Sequence, residues 1–516
     1  MALRRWSKVL TGRKLVPFAV ARHIRTGFFP DDPDFINPED PLLSDPVNAR
    51  WRHMDDPTLR NSVLERSNVG MGMLVINRVE GLNLSCVNEL YRRLRNLEVN
   101  SLKRFVGLAA MEPGPFSIGL DPKELLLAAV YAQKHKELSS FSKALLWNSQ
   151  ELAHLVADYR KPLVCQLSGF AQDGGAALGC LSSFSGAYHD SEICVNACRH
   201  GLVPMGGMTY VLASLPWHLG EFLALTAWPL RGADLVSLDL LEHWLSPDAL
   251  PFLELTAEKH LEVSEADSKL LLHEHSLPIP QDGDLFQTEE DPDDESFKRR
   301  YIPLINEIFQ EESPSRIKEA LKKKMETLSK READYKFLEE CMERMEDVSE
   351  KASYITLKLL RNARANLGPK STCRPINTEV LLECLRAELW AQHILLKEED
   401  SIGRLHAACT GGAIPKSKSE PSMLKDIEQA IQPPKDFFVV PERAEISLSQ
   451  HPRLRRYHPD YDPVTGLDHD PAWMRQEAMR WDPTLFEDER RAAVEALLGD
   501  RDPAAFGLSR WVKVEP

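Results

Sequence analysis

Three things are scarce in this 516-residue chain, and each scarcity excludes something. Positive charge is outnumbered, 63 basic against 78 acidic side chains, for a net charge of −15. Such a chain lacks the broad cationic surface that neutralising phosphates demands, so nucleic acid is not expected as its main contact, although local basic ends can still touch RNA. Cysteine lacks a pattern. The nine residues (Cys86, Cys165, Cys180, Cys194, Cys198, Cys341, Cys373, Cys384, Cys409) are odd in number and scattered. No paired CxxC set indicates a zinc site or a disulfide framework, and Cys194 and Cys198 read as small buried side chains. Reduced thiols suit a mitochondrial or cytosolic space. Long apolar runs are missing too, so no membrane span is expected.

The first thirty residues have no acid before Asp31 but carry Arg4, Arg5, Lys8, Arg13, Lys14, Arg22 and Arg25. Leu3, Trp6, Val9 and Leu10 recur at helical spacing. That is the composition of a mitochondrial transit peptide, or of a retained basic arm that binds RNA or an acidic partner. Residues 31–68 are rich in Pro and Asp, which blocks long helices and predicts an extended linker. Residues 69–265 alternate short apolar runs with helical periods, the α/β pattern. Strands are predicted at Leu74–Ile76 and Phe105–Ala109, and a helix at Cys86–Leu97 with Leu90, Leu94 and Leu97 on one face. Lys123 to Asp158 reads as long-helical, with His135 and His154 at its surface or boundary. An acidic insertion occupies 266–299, and His273 and His275 before its acidic run lack a third metal ligand. A helical region covers 300–412. The last part, 413–516, is a linker and an aromatic tail (Tyr457, Tyr461, Trp473, Trp481, Phe486, Phe506, Trp511) whose rings must dock on the core or on a partner.

The organising stretch is Lys161 to Tyr210. An apolar run, Leu163 to Leu167, leads through Gly169 and Asp173-Gly174-Gly175 into small residues, an order that predicts strand, tight turn and helix start. Such a turn offers backbone N–H groups at a helix N-terminus, a place to hold an oxygen becoming negative. Lys161-Pro162-Leu163-Val164, these glycines, Gly201-Leu202-Val203-Pro204 and Gly206-Gly207 resemble the crotonase (enoyl-CoA hydratase/isomerase) superfamily, and most closely its 3-hydroxyisobutyryl-CoA hydrolase branch. Val75-Ile76-Asn77-Arg78 with Gly81-Leu82-Asn83, Phe116 to Asp121, Phe222 to Thr226 with Leu230 to Asp234, and Glu388-Leu389-Trp390 through Gly403-Arg404 match in the right order. The resemblance implies an α/β fold: a crotonase (ClpP-like) spiral core of ββα units, with a C-terminal helical region and extended terminal arms added to it.

An acyl-CoA hydrolase needs N–H donors aimed at the thioester oxygen and carboxylates that move protons. By resemblance the donors are the amides of Ile118 and Gly174. The branch's glutamate falls at Ala197 and its aspartate at Met205, while the hydratases' other glutamate falls at Ala177. None of these three side chains transfers a proton. Asp173 replaces the first glycine of the family's triple-glycine turn, and its charge opposes an oxyanion unless it points away or is protonated. Ile118 and Leu120 narrow the entry path. Asp173, Glu192 and His200 are the candidates for replacement chemistry. Cys198-Arg199-His200 can be drawn as nucleophile and base, but neighbours on one strand point apart.

One member of the hydrolase branch is a component of the small subunit of the mitochondrial ribosome. The expectation is therefore a matrix protein without catalysis, cofactor, metal or small-molecule substrate. Its partners would be other small-subunit proteins, with rRNA touched through the basic N-terminal arm. An acyl-CoA hydrolase, hydratase or binder with unusual acid/base residues, and a scaffold for another mitochondrial complex, stay open as alternatives.

Overall fold

Apolar strand runs with no polar alternation demand cover on both faces, and they assemble here into a mostly parallel sheet. A computed structural model describes residues 62–67, 70–100, 102–111, 114–246, 276–278, 297–330, 332–368, 375–415, 430–434, 437–438 and 494. The expected N-terminal arm, the aromatics of the C-terminal tail from Tyr457 to Trp511, the His273/His275 pair and the acidic run of the insertion lie outside the described residues. Six strands run in the order β1-β2-β3-β4-β6-β9: β1 Val63–Ser67, β2 Gly70–Ile76, β3 Lys103–Ala110, β4 Leu163–Leu167, β6 Phe184–Ala187 and β9 His243–Trp244. Only β1 is antiparallel to its neighbour. A smaller sheet holds β5 Phe170–Gln172, β7 Glu192–Cys194 and β8 Leu230–Arg231.

Helix α1 (Leu84–Val99) starts where the Asn83 side chain accepts the N–H of Cys86, and it buries Leu90, Leu94 and Leu97 as its period predicts. The long-helical stretch is two helices, α2 (Pro122–His135) and α3 (Ser140–Ala157). Lys136 in the left-handed region ends α2, and Ser139 caps α3. Between Gly169 and helix α4 (Asp173–Leu181) the chain inserts β5, absent from the strand–turn–helix expectation. This three-residue strand exists because it pairs with β7 and bridges Ser117 through Ala171, partners distant in sequence.

The remaining core helices are α5 (Met208–Ser214), α6 (Leu219–Thr226) and α7 (Asp234–Ser237). The C-terminal region is helical as expected: α8 Phe297–Phe309, α9 Pro314–Met325, α10 Ala333–Glu346, α11 Glu350–Leu367, α12 Thr378–Leu395 and α13 Glu399–Thr410. Helix α11 packs on α5 and α12, and α13 packs on α2. No described helix is long and apolar enough to cross a membrane.

Buried ions fasten these helices to the core. The Glu221 carboxylate is fully buried and accepts from both terminal nitrogens of Arg364, at 2.5 and 2.8 Å, in a fork geometry. Arg404, also fully buried, donates to Asp400 (2.8 Å) and to the carbonyls of Arg199 (3.3 Å), Asp347 (2.6 Å) and Pro415 (3.0 Å). One guanidinium thus ties α13 to the α10–α11 junction and to the turn after β7.

Candidate functional site

The loop after β3 and the two glycine turns meet over the start of α4. The N–H of Gln172 donates to the Ser117 carbonyl at 2.8 Å, so the Phe116–Leu120 loop runs beside β5. A Cβ on Gly175 would sit 2.5 Å from Ser117 Oγ, and one on Gly119 would sit 3.7 Å from the Gly174 nitrogen. The first approach needs bare backbone, and Gly119 is favoured by its left-handed φ of +78°. Among the described residues neither the Ile118 N–H nor the Gly174 N–H donates a hydrogen bond.

These residues line a cavity of about 60 Å³, whose walls also include Leu120, Asp173, Ala197, His200, Met205 and Gln392. That volume holds a handful of waters and is far below the roughly 300 Å³ at which small-molecule pockets begin. Ile118, Gly174, Ala197 and Met205 therefore line one cavity. Ala177 does not reach the wall. It is fully buried, 3.7 Å from where a Cβ on Gly206 would lie.

Asp173 adopts φ +45°, a left-handed conformation natural to the glycine it replaces and tolerated by aspartate. Its carboxylate does not hang free. It accepts the Ala197 N–H at 3.1 Å and the Gln172 side-chain amide at 3.1 Å. Burial pushes its pKa up to about 6, against the opposing pull of these hydrogen bonds. His200 also lines the cavity, where burial and then the charges of Arg199 and Arg404 lower its pKa to about 4. It is neutral at pH 7.

The other candidates are elsewhere. Glu192 pairs with Arg231 at 2.8 Å on β7. Residues 197–200 form a 3₁₀ turn, which corrects the expectation of a strand there. The Cys198 thiol faces away, donating to Thr356 Oγ1 at 3.3 Å, and burial raises its pKa to about 12. This thiol stays protonated at pH 7. Among the described residues no cluster of three or more His, Cys, Asp or Glu could hold a metal.

Sequence reasoning missed the groups that brace the second glycine turn. The Glu388 carboxylate accepts from the N–H groups of Gly207 (2.9 Å) and Thr209 (2.8 Å), and from Gln150 Nε2 (3.1 Å). Gln150 Oε1 accepts from Gly206 N–H at 2.9 Å, and Gln392 Oε1 from Val203 N–H at 3.2 Å. Burial raises the Glu388 pKa to about 7 despite those donors. The available signal was polar residues set on otherwise apolar helix faces at 150, 388 and 392.

The Asp173→Asn variant is expected to be more stable at pH 7. A folded pKa of about 6 against an ordinary 3.8 means the native state holds the proton more tightly. Asp173 thus favours folding below pH 3.8, and that contribution is lost as pH rises through 6. Asparagine keeps the bond from Ala197 N–H without the buried charge. The expected gain is about 1–3 kcal/mol at pH 7, vanishing near pH 4, read from urea midpoints across that range.

A glycine-braced pair of N–H groups at a helix start, in a parallel sheet with a helical cap, defines a class. The enoyl-CoA hydratase/isomerase family model matches residues 71–405, and the chain belongs to that family. It is similar to the mitochondrial 3-hydroxyisobutyryl-CoA hydrolase of Mus musculus, 25% identical over 50% of this chain and 67% of that protein. It is also similar to small ribosomal subunit protein mS47 of Arabidopsis thaliana, 26% identical over 52% of this chain and 61% of that protein. Another curated relative is matched over as little as 42% of its length. A carnitinyl-CoA dehydratase structure from Mycobacterium thermoresistibile superposes with TM-score 0.58 at 20% identity, covering 72% of this chain and 97% of that one, which shows the crotonase fold.

Proposed function

We propose that this chain is a non-catalytic structural component of the mitochondrial ribosomal small subunit, built on an inactivated 3-hydroxyisobutyryl-CoA hydrolase frame. The carrying observation is the pair Ala197 and Met205, two proton-inert side chains on the wall of a cavity of about 60 Å³. Ile118 and Gly174 are on this reading the vestige of an oxyanion hole whose proton-transfer partners are gone. Similarity to the mS47 protein supports the ribosomal assignment, and the acid-free first thirty residues support a mitochondrial location in the matrix. Partners are other small-subunit proteins, with rRNA within reach of the basic N-terminal segment.

One observation favours a second reading. Asp173, held near neutrality by burial, lines the cavity beside Gly174, where a replacement acid of an acyl-CoA hydrolase or hydratase would stand. Its carboxylate is already occupied by Ala197 N–H and Gln172, which favours the first reading. The ribosomal assignment is tested by tagging the full chain in its native cell and fractionating mitochondrial lysate on a sucrose gradient. Co-migration with the small subunit is expected; a chain that stays at the top while subunits remain intact overturns it.

A further inference from the structure

Part of the chain that follows α13 is fastened to the core. Ala430 and Phe438 are fully buried, and Ile431 and Phe437 are partly buried against the same apolar core. The Phe437 N–H closes a turn onto the Pro434 carbonyl at 3.0 Å. The two rings then seat on different helices. Phe438 meets Trp147 of α3 edge-on, with ring centroids 4.9 Å apart. Phe437 meets Trp390 of α12 edge-on at 4.7 Å and the His393 ring at 5.9 Å. Arg386 of α12 donates to the Phe438 carbonyl at 3.2 Å. Edge-to-face pairs at such spacings stabilise beyond the area they bury, so each tryptophan serves as a socket for one ring.

The same two helices hold the second glycine turn. α3 and α12 pack on each other. Gln150, one turn after Trp147, holds the Gly206 N–H, and Glu388 holds those of Gly207 and Thr209. Gln392 holds the Val203 N–H. Arg386 and Trp390 each stand two residues from Glu388, about 200° around the helix from it. α12 therefore turns one face to Phe437 and Phe438 and another to the glycine turn. Val203, Met205 and Gly206 line the cavity, so a contact that fixes α3 against α12 also fixes that wall.

We infer that residues 430–438 are a latch: seated across α3 and α12, Phe437 and Phe438 keep the Val203–Thr209 turn rigid, and unseating them loosens it. The inference goes beyond the ribosomal reading and does not depend on it. Coupling of this kind needs packed side chains and hydrogen bonds in unbroken succession. Here the succession runs from Phe438 through Trp147 and Gln150 to Gly206, and from Phe437 through Trp390 and Glu388 to Gly207. The latch also makes Phe438 the joint between the cavity wall and the chain from Val439 to Pro516.

The test is amide hydrogen exchange on the full-length chain, resolved to single residues. The parent is compared with Phe437→Ala and with Phe437→Ala/Phe438→Ala. In the double variant the Gly206, Gly207 and Thr209 amides are expected to exchange at least about ten-fold faster, while those of Val106 and Leu108 in β3 keep the parental rate. Phe437→Ala leaves the buried Phe438 in place. It is expected to shift the turn amides the same way by a smaller factor, and it carries the test if the double variant does not fold. A synthetic peptide spanning Ala430–Val440, added in excess to the double variant, is expected to slow the turn amides again; its counterpart with both phenylalanines replaced by alanine is not. The inference is overturned if the turn amides keep the parental rate, or if turn and β3 amides speed up equally, which marks a general loss of stability. It is also overturned if the two peptides act alike.

Discussion

Replacing Arg404 by methionine is expected to destabilise the fold by about 3–5 kcal/mol, lowering the melting temperature by on the order of 10 °C. Methionine fills similar volume, so the loss comes from polar groups stranded without a donor rather than from an empty space. The carbonyls of Arg199, Asp347 and Pro415 lose their partner in the interior, and Asp400 loses its counter-ion. Arg199→Met is the control. Its partner Asp347 is 52% exposed, so that pair should be worth well under 1 kcal/mol. If both variants melt together with the parent, the buried guanidinium does not hold the cap to the core. Equal and large losses would instead locate the effect in the turn itself.

Thioester hydrolysis is expected to fall at least about 10⁴-fold below that of a working hydrolase. Loss of one acid/base group costs about 10²–10⁴-fold, and loss of both leaves only oxyanion donors and binding. Those remnants help only a substrate that fits. The cavity of about 60 Å³ is walled by Ile118, Leu120 and Met205, which leaves little space beside the Ile118 and Gly174 amides. Asp173 adds a charge to the cavity wall beside Gly174, and at pH 7 a carboxyl with pKa about 6 is mostly ionised. The remaining donors therefore face an opposing charge as well as a narrow space.

Much of this architecture was legible because its signals are local. The apolar runs of β2 and β4, the Leu90/Leu94/Leu97 stripe and the glycines of the two turns each follow from a few adjacent residues. The proposal that Ala197 and Met205 stand where carboxylates would be comes only from family resemblance, since alanine and methionine announce nothing by themselves. What escaped depends on pairs far apart in the chain. Gln150 and Glu388 meet across 238 residues to brace Gly206 and Gly207, and no periodicity encodes that meeting. Strand β5 was hidden because three residues carry no period of their own, and β7 is what makes them a strand. The turn at 197–200 resembled strand continuation until Arg404, Ser349 and Ser401 were seen to grip its carbonyls from the cap. Ala177 is fully buried, packed under Gly206 and not among the residues lining the cavity.

The decisive measurement is thiol release from 3-hydroxyisobutyryl-CoA by excess purified full-length chain in a single turnover, with Asp173→Asn run beside it. The expected result is that neither protein releases thiol faster than buffer. Release by the parent that disappears in Asp173→Asn would contradict the structural role and establish Asp173 as the acid of a living enzyme.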